Sequence, residues 1–172
     1  MKRFAIYAIL ILFCFVLQGT VFRHLAFAGI VPNLLIVVTA ALGFMRSDTT
    51  GLIVGFCCGL LVDIFFGDVI GFYALTYMYI GFLNGKLHGV FYPEDLKLPL
   101  LLILVSDLLY GLFAYLLLFM MRSRLNFEFY FANVIFPEMI YTIFAALVLY
   151  PLILALHNAL AGGKQKRVEE DV

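Results

Sequence analysis

The chain has 172 residues, of which 65% are hydrophobic and 13% charged, and its mean hydropathy is +1.10. A soluble domain of this length could not cover so much apolar surface, and a formal net charge of zero without a basic face gives no sign of nucleic-acid binding. Continuous apolar runs recur and do not alternate as barrel strands do, which predicts an all-α, polytopic integral membrane protein.

The first predicted span covers residues 4–22. A cleaved signal peptide is the competing interpretation, because residues 26–28 (AFA) resemble a cleavage site. The apolar run is long for a signal peptide, and Arg23 and His24 separate it from that site. We therefore expect a retained helix, followed by a linker that lies along the membrane surface.

The second predicted span covers residues 32–45 and opens with Pro32 and Asn33. Proline is tolerated in the first turn of a helix because its missing N–H would have no partner there. The span is short, so a tilted helix and a re-entrant segment are both open interpretations. A polar turn over residues 46–50 leads into the third predicted span, residues 51–66.

A four-residue repeat marks the third span and the turn after it. On a helix, steps of four residues form one ridge, and small residues along a ridge let another backbone approach closely. A carboxylate on such a ridge is costly in lipid and is expected to face protein or water. The ridge is either a partner-binding surface or a packing seam within the chain, and its members are Gly51, Gly55, Gly59, Asp63, Gly67 and Gly71.

Three more spans complete a prediction of six. The fourth covers residues 71–90, the fifth covers residues 98–121, and the sixth covers residues 132–156, bent or broken at Pro137 and Pro151. We expect residues 1–161 to form one transmembrane domain and residues 162–172 to form a charged, disordered cytoplasmic tail.

The distribution of basic residues predicts the orientation. With six spans and a cytoplasmic N-terminus, eight Lys and Arg residues lie on the inside and three on the outside, which is the bias expected when both termini lie in the cytoplasm. The inside set is Lys2, Arg3, Arg46, Lys86, Lys97, Lys164, Lys166 and Arg167, and the outside set is Arg23, Arg122 and Arg124.

Polar side chains within the spans are predicted to gather in the outer half of the bundle. They could line a pocket for a small ligand, form a groove for a partner's transmembrane helix, or simply make interhelical hydrogen bonds. The acids among them could also serve proton-coupled transport, although no basic partner and no internal repeat supports that use. Besides Asn33 and Asp63, the set comprises Gln18, Asp107, Asn133 and Glu138.

The sequence gives little support for catalysis. The three histidines are scattered, and the three cysteines lie in apolar runs without metal-ligand spacing. No GxSxG, HExxH or phosphate-binding loop occurs. We expect no enzyme activity, no catalytic residue, no metal and no cofactor.

Two stretches carry a resemblance to a known family. Residues 31–35 (VPNLL) are similar to the start of the second span of the MreD family of bacterial rod shape-determining proteins. Residues 55–75 are similar to that family's G-x3-G-x3-D-x3-G-x3-G pattern, and Pro151 is a third point of likeness. The resemblance covers most of the chain.

The resemblance implies a non-enzymatic scaffold of the cell-elongation complex, which directs lateral peptidoglycan synthesis. It implies binding to the single-span protein MreC and, through it, a link between actin-like MreB and RodA with its penicillin-binding transpeptidase. Membrane lipid and a second copy of the chain are further expected partners. The family fold is also thought to be similar to the substrate-binding subunit of energy-coupling-factor vitamin transporters, which is the alternative function. Copurification with an ATPase module would distinguish that alternative.

Overall fold

The computed structural model describes residues 2–24, 29–67, 69–89, 96–122 and 126–170, and leaves out the side chains of residues 2, 3, 118, 122 and 161–170. The AFA segment, Asp68 and most of the predicted loop before α6 lie outside these residues. The described elements are helices: α1 Lys2–Gly19, α2 Val21–His24, α3 Leu34–Arg46, α4 Asp48–Phe66, α5 Phe72–Lys86, α6 Lys97–Arg122, α7 Phe127–Tyr130, a π-helical segment Phe131–Ile135, and α8 Phe136–Glu170.

Helix α3 forms the centre of the bundle. Its sequence is apolar on every side, and a helix of that kind is stable only when it is surrounded. All residues from Leu34 to Met45 are buried, and α3 contacts α1, α4, α5, α6 and α8. The predicted second span therefore does not face lipid, because five other helices of the chain cover it.

Helices α3, α4 and α5 follow one another as antiparallel neighbours. A single residue, Ser47, separates α3 from α4, and its hydroxyl oxygen accepts a hydrogen bond from the Thr50 N–H at 3.2 Å. This is a standard N-cap, which satisfies an N–H group that the first turn leaves without an acceptor. The short turns keep the three helices side by side.

Within the described ranges, four helical stretches are long and apolar enough to cross a membrane: Phe4–His24, Asp48–Phe66, Lys97–Met121 and Phe127–Leu160. Together with the shorter α3, of 13 residues, and α5, of 15 residues, they make a multi-pass helical protein. The six-span count stays a prediction, since α3 and α5 are shorter than the roughly 20 residues that a perpendicular span needs.

The last helix differs from the prediction in three ways. It begins at Phe127 rather than at residue 132, because α7 and the π-helical segment lead directly into α8. It continues through Pro151 without a break, and its backbone stays helical to Glu170, where a disordered tail was expected. The π-helical turn lies just before Pro137, whose missing N–H cannot complete a regular helical hydrogen bond.

Candidate functional site

The glycine ridge of α4 faces α5 of the same chain. A Cβ atom added at Gly55 would overlap the carbonyl oxygen of Tyr77, and one added at Gly59 would overlap that of Tyr73. The two backbones therefore touch along the ridge, as expected for small residues in packed membrane helices. The surface that the sequence offered either to a partner helix or to internal packing is occupied by α5.

Three glycines from three helices meet at one end of this ridge. A Cβ atom built on Gly43 of α3 would lie 2.7 Å from the carbonyl oxygen of Gly81 on α5 and 3.3 Å from Cα of Gly51 on α4. Gly51 and Gly81 in turn leave no room for each other's Cβ. Helices α3, α4 and α5 are therefore held at backbone contact, which would be impossible with any larger residue at these positions.

Asp63 closes the opposite end of the same seam. It is 1% exposed, and its carboxylate accepts hydrogen bonds from the backbone N–H groups of Gly71 (3.0 Å), Tyr73 (3.0 Å) and Ala74 (2.8 Å). These donors lie at the start of α5, where the N–H groups have no acceptor within the helix. A negative charge there also complements the helix dipole. Asp63 of α4 is thus the cap of α5.

The last two glycines of the repeat shape the turn between α4 and α5. Gly67 ends α4, and its N–H donates to the carbonyl oxygen of Asp63 at 3.2 Å. Gly71 precedes α5 with a φ of +99°, a left-handed conformation that glycine adopts at little cost. This conformation brings the N–H of Gly71 onto the Asp63 carboxylate.

Asn33 joins three helices by hydrogen bonds. Its side-chain oxygen caps α3 by accepting from the Ile36 N–H at 3.2 Å, and it also accepts from the Tyr77 hydroxyl of α5 at 2.8 Å. Its backbone N–H donates to the Thr142 hydroxyl of α8 at 3.0 Å. Because Asn33 is the N-cap, Pro32 lies before the helix. The sequence had suggested that Pro32 lies in the first turn.

Gln18 supports the same helix start from α1. Its side-chain oxygen accepts a hydrogen bond from the Leu35 N–H at 3.3 Å. The N-terminus of α3 is therefore satisfied by side chains of its neighbours, which allows it to lie inside the bundle away from water. Gln18 and Asn33, two members of the predicted polar set, are brought together in this way.

Asp107 and Glu138 form a second group. Asp107 on α6 is 2% exposed, and neither of its carboxylate oxygens has a hydrogen-bond partner among the described residues. Glu138 on α8 is half-buried and lies close enough to Asp107 for the two carboxyl groups to interact. Tyr110 belongs to the same surroundings and stacks edge-on against Tyr77, with ring centroids 5.4 Å apart.

Asn133 does not join the polar set. It lies in the π-helical segment, is exposed, and donates to the carbonyl oxygen of Phe129 at 2.8 Å. The expectation that it faces the bundle interior is therefore wrong. The π-helical turn changes the helical register at this point, so residues before and after it do not share the face that regular helix geometry predicts.

Several polar contacts within the bundle were not predicted from the sequence. Asn84 of α5 donates to the Ser106 hydroxyl of α6 at 2.8 Å, and the His88 Nδ1 lies 2.9 Å from the carbonyl oxygen of Phe44. The hydrogen bonds of Tyr77 and Thr142 with Asn33 were not predicted either. Their only sequence signal is a polar group inside an apolar run, which indicates a contact without indicating its partner.

A cavity of about 490 Å³ opens at the end of the bundle where α1 ends. It is lined by residues that include Gln18, Arg23, Val62 and Tyr110. Its volume falls within the range of small-molecule sites. Groups of three or more His, Cys, Asp or Glu side chains able to hold a metal ion do not occur in the described part of the chain.

The polar and small residues of this bundle thus serve first to hold α3, α4, α5 and α8 together. Searches among curated proteins and among solved structures found no match. The family model for the rod shape-determining protein MreD matches residues 1–160, nearly the whole chain. The resemblance that the sequence indicated is confirmed, and the chain belongs to the MreD family of rod shape-determining proteins.

Proposed function

We propose that this chain is a non-enzymatic scaffold in the plasma membrane, with both termini in the cytoplasm, that binds an MreC-like single-span partner. Family membership gives it a role in rod shape determination. We further propose that the partner connects this chain to MreB, RodA and the penicillin-binding transpeptidase, and that the complex directs lateral peptidoglycan synthesis.

The proposal rests on the contacts that the ridge glycines and the neighbouring polar residues make. The ridge glycines, Asp63 and Asn33 all contact helices of the same chain. They build a rigid core rather than an open reaction centre. The outer faces of α1, α4, α5, α6 and α8 carry exposed large apolar side chains, so a partner helix would dock on one of these faces and not on the ridge.

Photocrosslinking in the cell tests this proposal. Each outer helix carries an exposed aromatic residue, and the photoreactive amino acid p-benzoyl-phenylalanine keeps an aromatic ring there while its larger side chain has room outside the bundle. We expect crosslinks to the MreC-like protein from one face only. The five positions, one on each of five helices, are Phe13, Phe56, Tyr79, Phe113 and Phe144.

Crosslinks to the MreC-like protein from adjacent helices would support the proposal and locate the interface. Equal weak crosslinking from all five positions would indicate random collision in the membrane. If the MreC-like protein is co-expressed and no position captures it, the scaffold proposal is wrong. The protein without a photoreactive residue, irradiated in the same way, is the control from which no partner should be captured.

The cavity near Gln18 favours a second candidate function, that of a substrate-binding transporter subunit. Its volume of about 490 Å³ suits a vitamin-sized ligand. This function predicts copurification with an ATPase module and a small molecule retained in gently solubilised protein. Native mass spectrometry detects either one, and finding the MreC-like protein instead would favour the scaffold.

A further inference from the structure

A wedge-shaped slot runs between α1 and α4. At one end the two helices touch, because the Phe15 ring packs against Phe65 and Phe66 with centroids 5.1 and 5.8 Å apart. Towards the start of both helices they separate and leave a cavity of about 1110 Å³. Its walls are mainly apolar and include Ile11, Ile53 and Leu61.

The wide end of the slot is polar and carries a positive charge. Arg46 lies there, with Nη1 3.2 Å from the Tyr7 hydroxyl and its guanidinium 5.5 Å from the centre of the Tyr7 ring. The hydroxyl-bearing residues Ser47, Thr49 and Thr50 line the same end. Since a guanidinium has five N–H donors, the contact with Tyr7 leaves most of them available.

The acidic residue next to Arg46 does not neutralise it. The Asp48 carboxylate lies 3.2 Å from the Lys86 ammonium group of α5 and is not among the residues that line the slot. Among the described side chains, Arg46 forms no ion pair. One end of an otherwise apolar slot therefore has a cation that no described acidic side chain pairs with.

We propose that this slot binds one anionic phospholipid. Its acyl chains lie between α1 and α4, and its phosphate contacts Arg46 and the neighbouring hydroxyl groups. Arginine matches phosphate geometry with two parallel N–H donors, and anionic headgroups are concentrated in the cytoplasmic leaflet, where Arg46 is expected to lie. An entirely apolar transmembrane helix would fill the slot but would leave the charge of Arg46 without a counterion.

The absence of tryptophan from the chain makes the slot directly observable. The variant Ile53→Trp puts a single fluorophore in the slot, at a position that is 43% exposed and about 7 Å along α4 from Asp48. The variant Phe144→Trp puts one on the lipid-facing side of α8, outside the slot. Each protein is reconstituted in vesicles that contain either phosphatidylglycerol or phosphatidylcholine with brominated acyl chains, which quench tryptophan on contact.

We expect brominated phosphatidylglycerol to compete for the slot about fivefold better than phosphatidylcholine, the ratio that one basic residue provides near an anionic headgroup. The tryptophan at position 144 should show no preference. Adding Arg46→Gln to the slot variant should abolish the preference. Lys97→Gln, which removes an exposed positive charge predicted to lie on the same side of the membrane but outside the slot, should leave it intact.

Equal quenching by the two lipids at position 53 would overturn the proposal, as would a preference that survives Arg46→Gln. A preference that falls equally with Lys97→Gln would show general surface attraction and would also overturn it. So would a slot tryptophan that neither lipid reaches, since the slot would then hold something else, such as a helix of a second copy. If Ile53→Trp does not fold, Cys57→Trp gives a second exposed position in the slot.

Discussion

Two buried aspartates illustrate how much a single residue depends on its surroundings in this protein. Asp63 accepts three backbone N–H groups at the start of α5. Asp107 is equally buried, yet its carboxylate has no hydrogen-bond partner among the described residues. The first residue is therefore part of the framework, whereas the second lies beside Thr142 and close enough to Glu138 for the two carboxyl groups to interact.

We expect Asp63→Ala to destabilise the protein by about 2–4 kcal/mol, because it leaves N–H groups at a helix start without an acceptor. Asp63→Asn keeps the size of the side chain and one acceptor oxygen, so its loss should be about half as large. The free energy of unfolding in mixed micelles, followed by circular dichroism, measures both. Rod shape should be lost in proportion to the folded protein that remains.

The matched control for this prediction is Asp48→Ala at the other end of α4. Its carboxylate forms an exposed ion pair with Lys86, and such pairs contribute little to stability. If Asp63→Ala were no more harmful than Asp48→Ala, the capping role of Asp63 would be disproved. If the alanine variant were stable but rod shape were lost, Asp63 would contact a partner as well.

At the scale of helices, the α4–α5 seam dominates the architecture. Glycines let the two backbones touch from Gly51 to Gly59, and Asp63 fixes the start of α5 just beyond. Van der Waals contact and hydrogen bonds, rather than the hydrophobic effect, hold helices together in lipid, so close approach is the main source of stability here. The seam should therefore be intolerant of even one added methyl group.

We expect Gly55→Ala to destabilise the bundle by about 3 kcal/mol, because its Cβ would meet the rigid backbone of Tyr77. Gly111→Ala on α6 is the matched control. Its Cβ would lie 3.1 Å from side-chain atoms of Ile135, which can move, and the gain in helix propensity of about 1 kcal/mol offsets the crowding. Unfolding free energies of the two variants should thus differ clearly. Equal values would show that α4 and α5 do not touch as described.

At the scale of the whole molecule, the two short helices decide the topology. At about 1.5 Å per residue, α3 is about 20 Å long and α5 about 22 Å, while the apolar core of a bilayer is about 30 Å thick. A short helix can still complete a crossing when protein surrounds its ends, and the buried N-terminus of α3 has side-chain caps from Asn33 and Gln18.

We expect six crossings, which put both termini on the same side, and the distribution of basic residues predicts that this side is the cytoplasm. A C-terminal fusion to green fluorescent protein should fluoresce, and a C-terminal fusion to alkaline phosphatase should be inactive, because that enzyme folds only outside the cytoplasm. A phosphatase fusion in the turn after α4 should be active, since that turn is predicted to lie outside. An active phosphatase at the C-terminus would mean that α3 or α5 does not cross.

The sequence by itself determined the membrane class, the helices and the family. Apolar runs must form helices in lipid because no water can satisfy their backbone, and the four-residue repeat of glycines with Asp63 carries both the packing seam and the MreD resemblance. It also placed Gln18 and Asn33 near each other, since both lie at helix ends that a short linker joins.

Only the tertiary structure decided which surfaces meet. Periodicity identifies the small face of α4 but does not say whether α5 or a partner occupies it, and Tyr77 and Thr142 lie 44 and 109 residues from Asn33. The π-helical turn before Pro137 turned Asn133 outward, which regular helix geometry could not predict. The slot beside Arg46 exists because α1 and α4 separate at one end, a property of helix placement that no local pattern encodes.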